Sequence, residues 1–98
     1  MVRIWWDEIA SAHLRDRPLR HLGGRTVEPK WAAEAAEDTS AVIRDPDPVS
    51  RTGAARLVGY CPTIDRVLVV IYNAETGRGY TAWPATGADL RRYVKGAQ

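Results

Sequence analysis

The run from Val67 to Tyr72 constrains the fold of this chain more than any other feature, because it is the longest uninterrupted apolar stretch in the sequence. A continuous, β-branched run of this length is typical of a strand that is buried on both faces. Each face of such a strand must be covered, and the amphipathic segments before and after it are available to do so. The run therefore predicts a small α+β domain in which helices pack on an antiparallel sheet.

The length and composition of the chain limit the number of domains and the class of protein. We expect residues 1–98 to form a single domain with a single core. A hydrophobic content of 45% and a charged content of 27% are those of an ordinary soluble globular protein. Charged residues interrupt the sequence from Arg3 onward, and it contains neither a long apolar span nor a signal peptide. The expected location is the cytoplasm, without membrane contact.

Periodicity and capping residues predict the elements of the N-terminal half. The alternation of Val2, Ile4 and Trp6 has the period of a half-buried strand. Asp7 then offers an N-cap for a helix that ends before Pro18. A second helix begins at Glu28-Pro29, since proline suits the first helical position. Its buried face is expected at Trp31, Ala32, Ala35 and Ala36.

The sequence of the C-terminal half predicts a sheet followed by one helix. A short strand at residues 41–44 precedes a meander of three strands at residues 56–61, 67–72 and 78–83. Thr86 caps the last helix. Its inner face is expected at Leu90, Tyr93 and Val94, and its outer face at Arg91, Arg92 and Lys95. The predicted order of elements is β-α-α-β-β-β-β-α.

Arginines in the C-terminal half are the first candidate functional residues. Residues 51–98 carry seven Lys/Arg against three Asp/Glu, whereas residues 1–50 carry seven against nine. Six arginines lie in or beside the meander and on the last helix: Arg51, Arg56, Arg66, Arg78, Arg91 and Arg92. Grouped on one face, guanidinium groups stabilise the charge that develops when a ribose 2′-hydroxyl attacks a phosphodiester. For any one of them, a solvated surface position is the alternative.

Aromatic side chains form the second candidate group, since they stack on unpaired bases of single-stranded RNA. The candidates are Tyr60, Tyr72, Tyr80, Tyr93 and Trp83, each of which could instead belong to the core. Tyr80 and Trp83 are the two that we expect to be exposed. The remaining tryptophans, Trp5, Trp6 and Trp31, are assigned to packing.

Histidine and cysteine spacing predicts no metal site, and no phosphate-loop, dinucleotide or nucleophile-elbow motif indicates a cofactor. Cys61, the single cysteine, is expected to be a small buried residue. His13 falls where the first helix turns inward and is assigned to core or interface packing. His21 lies in a glycine-rich loop between Arg20 and Arg25, and is the candidate for acid–base chemistry or phosphate contact.

Several local strings, together with the order of elements, resemble the BrnT toxins. The strings are Ile4-Trp5-Trp6-Asp7-Glu8, Ala35-Ala36-Glu37-Asp38, the segment Asp65 to Tyr72, and Ala85-Thr86 followed by Arg91-Arg92-Tyr93. The resemblance implies a RelE-like fold and a cytoplasmic toxin of a type II toxin–antitoxin pair. It also implies a metal-independent ribonuclease that cleaves messenger RNA and is inhibited by an antitoxin encoded beside it.

Position by position, the resemblance assigns roles to five residues. Arg66 matches the arginine that begins the family's central strand, and Arg78 matches the basic residue that opens its last strand. Arg91, Arg92 and Tyr93 match the arginine–tyrosine string of the last helix. Two departures remove basic groups: Asp16-Arg17-Pro18 replaces the family's Lys-His-Gly, and Trp83-Pro84 replaces a basic residue before the Ala-Thr step.

The leading hypothesis is therefore a BrnT-like RNA endonuclease in which Arg66 and Arg78 act at the scissile phosphate, with His21 or Tyr93 as proton donor. RNA binding is expected from the remaining candidates: Arg51, Arg56, Tyr80, Trp83, Arg91 and Arg92. The expected partners are RNA and an antitoxin, in a homo-oligomer or a toxin–antitoxin hetero-oligomer. The alternative is an inactive module of the same fold that acts only through a protein partner. A dimeric structural protein is a third reading, supported by tryptophan content alone.

Overall fold

The computed structural model of this chain describes residues 2–19 and 22–96. Over these residues the elements are α1 (Glu8–Arg15), α2 (Pro29–Glu37), β1 (Val42–Arg44), β2 (Ala55–Cys61), β3 (Arg66–Tyr72), β4 (Gly79–Pro84) and α3 (Gly87–Gly96). This arrangement confirms the predicted α+β class. In the part of the chain that is described, no helix combines the length and the apolar character needed to cross a bilayer.

The four strands form one antiparallel sheet in the order β1-β2-β3-β4, so that neighbours in sequence are neighbours in space. The apolar run is β3, which pairs with β2 on one side and β4 on the other. Leu68, Val69 and Val70 have no exposed surface, although their side chains alternate between the two faces. The prediction of a strand buried on both faces is confirmed.

The main core lies between one face of the sheet and α2. The four residues predicted for the buried face of this helix are all buried, from Trp31 at 9% exposure to Ala32 and Ala35 at 0%. Small side chains let the helix approach β2 so closely that a Cβ atom at Gly59 would overlap the carbonyl oxygen of Ala35. Ala35 and Gly59 therefore fix the spacing between helix and sheet.

The opposite face of the sheet carries a smaller cluster in which Val58 and Val69 pack with Tyr93 of α3. This helix contacts β1 and β2. Leu90 and Val94, predicted to face inward, are instead 38% and 50% exposed. Only one side of α3 meets the sheet, and that side is occupied by Tyr93, so the prediction for Leu90 and Val94 is wrong.

The N-terminal segment predicted as the first strand takes part in the sheet as a single parallel bridge between Trp5 and Arg78. The Trp5 amide donates to the Gly77 carbonyl over 3.0 Å, whereas the Val2 amide donates to the Ala36 carbonyl over 3.1 Å. The segment thus crosses from α2 to the start of β4 instead of following β4, which explains why pairing stops after one bridge. Trp5, assigned to packing, is 51% exposed.

Candidate functional site

A cleft of about 360 Å³ lies between α1 and the edge strand β4. Its lining is Ile9, Ala10, His13, Arg78, Tyr80 and Thr81, and we refer to it as the α1–β4 cleft. The lining combines an imidazole, a guanidinium group, a phenol and a hydroxyl with apolar surface. Two of the sequence-predicted residues, Arg78 and Tyr80, therefore lie together here.

Two basic side chains converge on one hydroxyl of β4. The His13 Nε2 atom lies 3.2 Å from Thr81 Oγ1, and the Arg17 Nη1 atom lies 3.4 Å from the same oxygen. His13 lies in the last turn of α1, and Arg17 lies just beyond the end of this helix, where its amide donates to the Leu14 carbonyl. The Thr81 hydroxyl accepts from Arg17, and its own hydrogen is free to be donated to an unprotonated His13 Nε2.

Trp83 adds an aromatic ring to this group, two residues along β4 from Thr81 and on the same face of the strand. The guanidinium carbon of Arg17 lies 5.7 Å from the ring centroid, and that of Arg56 lies 5.5 Å from it. Two cations within this distance interact favourably with the negative faces of an indole. His13, Arg17, Thr81 and Trp83, which we call the β4 cluster, adjoin the α1–β4 cleft.

Arg56 does not offer a free charge to a ligand. Its Nε atom lies 3.1 Å from an Asp47 carboxylate oxygen, and its Nη1 atom lies 2.8 Å from an Asp89 carboxylate oxygen. The side chains of Arg56 and Asp47 are only 14% and 4% exposed. This triad fixes the loop before β2 and the start of α3 against the sheet, while the Arg56 guanidinium also contacts the Trp83 ring.

Arg78 is likewise held by a carboxylate, with 2.7 Å between its Nε atom and Asp7 Oδ2. The other oxygen of Asp7 accepts from the Ala10 amide over 2.8 Å and caps α1. The hydrogen bond from Ala10 lowers the pKa of Asp7, and Arg78 lowers it further against the opposing effect of burial. Arg78 is 36% exposed and its guanidinium carbon lies 5.6 Å from the Tyr80 ring centroid, so it remains open to the cleft.

Tyr93 lies outside the α1–β4 cleft, where its hydroxyl donates to Asp38 over 2.6 Å. Burial and this hydrogen bond raise the pKa of Tyr93 to about 12. The same carboxylate accepts from the Tyr60 and Ser40 amides. Burial opposes ionisation of Asp38, but the hydrogen bonds outweigh it and its pKa is lowered. The Tyr93 proton is thus engaged in a contact that joins α3 to the end of α2.

Four predicted arginines are not brought to the cleft. Arg66 begins β3 on the face of the sheet that α2 covers, and its Nη1 atom donates to the Asp65 carbonyl. Five residues of strand, about 17 Å, separate it from Ile71, the partner of Thr81. Arg51, in the loop before β2, and Arg91 and Arg92, on α3, are exposed. His21 lies outside the described residues.

The structure also adds residues that the sequence analysis missed. His13, assigned to core or interface packing, is exposed and contacts Thr81, so a place in the core is wrong. Arg17, read as part of a departure that removes a basic group, lies against Trp83, the residue of the other departure. The alternation along β4 predicts that Thr81 and Trp83 share one face of the strand, but no sequence signal places His13 and Arg17 beside them.

Within the described residues, no group of three or more His, Cys, Asp or Glu side chains is arranged to hold a metal ion. Cys61 is buried as predicted, and burial raises the pKa of its thiol. Comparison of the chain with protein-family models, curated proteins and solved structures gives no match. The α1–β4 cleft and the β4 cluster are therefore the features of this chain that bear on its function.

Proposed function

We propose that this chain is a BrnT-like toxin: a cytoplasmic, metal-independent RNA endonuclease that a protein antitoxin inhibits. The observation that carries the proposal is the convergence of His13 and Arg17 on Thr81, beside an indole flanked by two guanidinium groups. Phosphodiester cleavage by a ribose 2′-hydroxyl needs positive charge at the phosphoryl group and a proton for the leaving oxygen. The β4 cluster and Arg78 offer both within one surface.

Single-stranded RNA fits the aromatic residues of this surface. Tyr80 and Trp83 are half-buried rings on β4, at the edge of the sheet, and each is accompanied by a guanidinium group. Base stacking on such rings tolerates any sequence, while arginines neutralise the adjoining phosphates. In the proposed complex the backbone follows β4 from Arg78 to Arg17, a flanking base stacks on Tyr80, and the Trp83 ring supports the guanidinium group of Arg17.

The proposed reaction breaks the RNA without a hydrolytic step. The 2′-oxygen forms a bond to phosphorus, the bond from phosphorus to the 5′-oxygen breaks, and the products end in a 2′,3′-cyclic phosphate and a 5′-hydroxyl. Arg17 and Arg78 stabilise the charge on the phosphoryl oxygens, as bidentate guanidinium donors do. Arg56 has a positioning role. Its guanidinium group is already paired with the carboxylates of Asp47 and Asp89, and it contacts the ring of Trp83.

A second candidate function is a binding module without catalysis. Two observations favour it: carboxylates of the chain itself neutralise Arg56 and Arg78, and α3 exposes Leu90 and Val94 between basic residues. A depression of about 440 Å³ beside these two residues is lined also by Arg91 and Lys95. The partner that this surface fits is an amphipathic segment with acidic flanks.

The experiment that separates the two functions is growth of a bacterial host after induced expression of the chain alone. We expect the parent to arrest growth and the Arg17→Ala/Arg78→Ala variant to permit it. Arg15→Ala is the matched control, since Arg15 is exposed on α1 but two residues from His13 and so on another side of the helix. Unimpaired growth with soluble, folded parent protein would contradict the endonuclease proposal and favour the binding module.

A further inference from the structure

Strand scission by a 2′-hydroxyl requires a proton at the 5′-oxygen that leaves, since an alkoxide is a poor leaving group. We propose that His13 donates this proton, that Arg17 binds the scissile phosphate, and that Thr81 positions the imidazole. This inference rests on the proposed endonuclease function and adds a catalytic residue to it. It replaces His21 and Tyr93 as proton donors with a residue of the α1–β4 cleft.

The position of His13 is the first reason for the assignment. It is exposed, it lines the α1–β4 cleft, and its Nε2 atom points to the same oxygen as Arg17 Nη1. A phosphate oxygen placed beside the Thr81 hydroxyl would therefore be within hydrogen-bond reach of both groups. Imidazole is also the side chain that most often serves as a general acid or base in proteins.

The surroundings of Tyr93 give the second reason. Its hydroxyl donates to the Asp38 carboxylate over 2.6 Å, at the junction of α2 and α3. Donation to a leaving oxygen would break this charge-assisted hydrogen bond, and the high pKa of Tyr93 makes its phenol a weak acid. By contrast, the partner of His13 is a neutral hydroxyl, which an incoming phosphate oxygen replaces at little cost.

Thr81 acts through His13. In the free protein its hydroxyl, which accepts from Arg17, orients the imidazole, and bound RNA then replaces this hydroxyl as the partner of Nε2. In this step the 2′-oxygen bonds to phosphorus and its proton passes to solvent, while the bond from phosphorus to the 5′-oxygen breaks and the Nε2 proton of imidazolium His13 passes to that oxygen. His13 is left neutral and regains its proton from solvent.

The test uses two RNA substrates that differ in the leaving atom, one with the natural 5′-oxygen and one with a bridging 5′-sulfur at the scissile bond. A thiolate leaves without protonation, so the sulfur substrate does not need a proton donor. With the natural substrate, we expect His13→Ala to reduce the cleavage rate by about 10²–10⁴-fold. With the sulfur substrate, we expect His13→Ala and the parent to cleave at similar rates.

Four further variants sharpen the assignment. Arg17→Ala should slow both substrates, because phosphate binding is needed whichever atom leaves. Thr81→Val should lower the rate on the natural substrate more than on the sulfur substrate, whereas Thr81→Ser, which keeps the hydroxyl, should restore it. Arg15→Ala should cleave both substrates as the parent does.

Two results would overturn the assignment and are distinguishable from each other. If the parent cleaves both RNAs and His13→Ala loses the same factor on each, or loses nothing, His13 is not the proton donor while the endonuclease function stands. If the folded parent cleaves neither RNA, the proposed function fails and this inference fails with it. His13→Gln, of similar size, serves as the second variant should His13→Ala not fold.

Discussion

Asp38 illustrates how much one side chain organises in this small domain. One of its oxygens accepts from the Tyr93 hydroxyl over 2.6 Å and from the Tyr60 amide over 2.8 Å, and the other accepts from the Ser40 amide over 2.9 Å. It therefore joins the end of α2 to β2 and α3. The resemblance to BrnT toxins marked Tyr93 for chemistry, but its partner could not be read from the sequence, since 55 positions separate it from Asp38.

The lowered pKa of Asp38 predicts a loss of stability in acid. A carboxyl whose pKa is lower in the folded than in the unfolded chain stabilises the fold above the unfolded value, and this contribution is lost as the pH falls through the folded value. We expect urea unfolding of the parent to show a lower free energy at pH 3 than at pH 7. In Asp38→Asn the difference between the two pH values should be smaller. A variant as pH-dependent as the parent would contradict this role.

Removal of the Tyr93 hydroxyl tests the same contact from its other side. Tyr93→Phe keeps the ring against Val58 and Val69 but leaves Asp38 without its phenolic donor. A hydrogen bond to a charged group contributes about 1.5–3 kcal/mol, so we expect a loss of that size in the free energy of unfolding at pH 7. RNA cleavage by the folded variant should persist; its disappearance would restore Tyr93 as a candidate proton donor.

The elements of the fold were predictable where a local pattern determines them. The apolar run specified β3, and the spacing of Trp31, Ala32 and Ala35 specified the buried side of α2, because burial depends there on period alone. Where an element depends on pairing with residues distant in sequence, the local pattern did not determine its structure. The N-terminal segment has the alternation of a strand, but its hydrogen bonds to two different elements limit it to a single bridge.

The close approach of α2 and β2 predicts that Gly59 tolerates no side chain. A Cβ atom there would overlap the Ala35 carbonyl oxygen, which belongs to backbone and cannot rotate away. Overpacking of this kind costs about 1–3 kcal/mol. We expect Gly59→Ala to lower the midpoint of thermal unfolding, although alanine is otherwise as acceptable as glycine in a strand. A midpoint equal to that of the parent would contradict the predicted contact.

The triad of Asp47, Arg56 and Asp89 predicts a large effect from an arginine that the sequence analysis assigned to RNA binding. Arg56→Ala would leave Asp47, which is 5% exposed, without its cationic partner. Breaking a buried ion pair in this way costs about 3–5 kcal/mol. Arg51→Ala, in the exposed loop nearby, should change stability by about 0.5 kcal/mol or less. Similar urea midpoints for the two variants would contradict the structural role of Arg56.

The candidate site is a property of the whole molecule, because it forms where the beginning and the end of the chain meet. His13 and Thr81 are 68 positions apart in sequence, and Asp7 and Arg78 are 71 apart. No local pattern reports such a meeting, which explains why the sequence did not show that His13 and Arg17 lie beside Thr81 and Trp83. The two departures from the BrnT pattern also meet here, as Arg17 lies against Trp83.

The positive charge of Arg17 in the β4 cluster predicts how RNA binding depends on salt concentration. A single-stranded RNA that contacts Arg17 through phosphate releases counterions, so Arg17→Ala should reduce the slope of log K against log salt by about 0.7. The measurement uses an RNA with 2′-deoxy substitution at the cleavage position, which binds without reacting. Arg15→Ala is the control on α1 and should change the slope less than Arg17→Ala. Equal slopes for the two variants would show that the RNA phosphate does not bind at Arg17.

The most direct test of the account is incubation of the purified protein with single-stranded RNA in the presence of a metal chelator, followed by analysis of the product ends. We expect cleavage that leaves a 2′,3′-cyclic phosphate and a 5′-hydroxyl. Arg17→Ala should slow this cleavage strongly, whereas Arg15→Ala should not. Intact RNA after incubation with folded parent protein would contradict the account, and would leave this chain as a binding module whose partner meets the basic, apolar surface of α3.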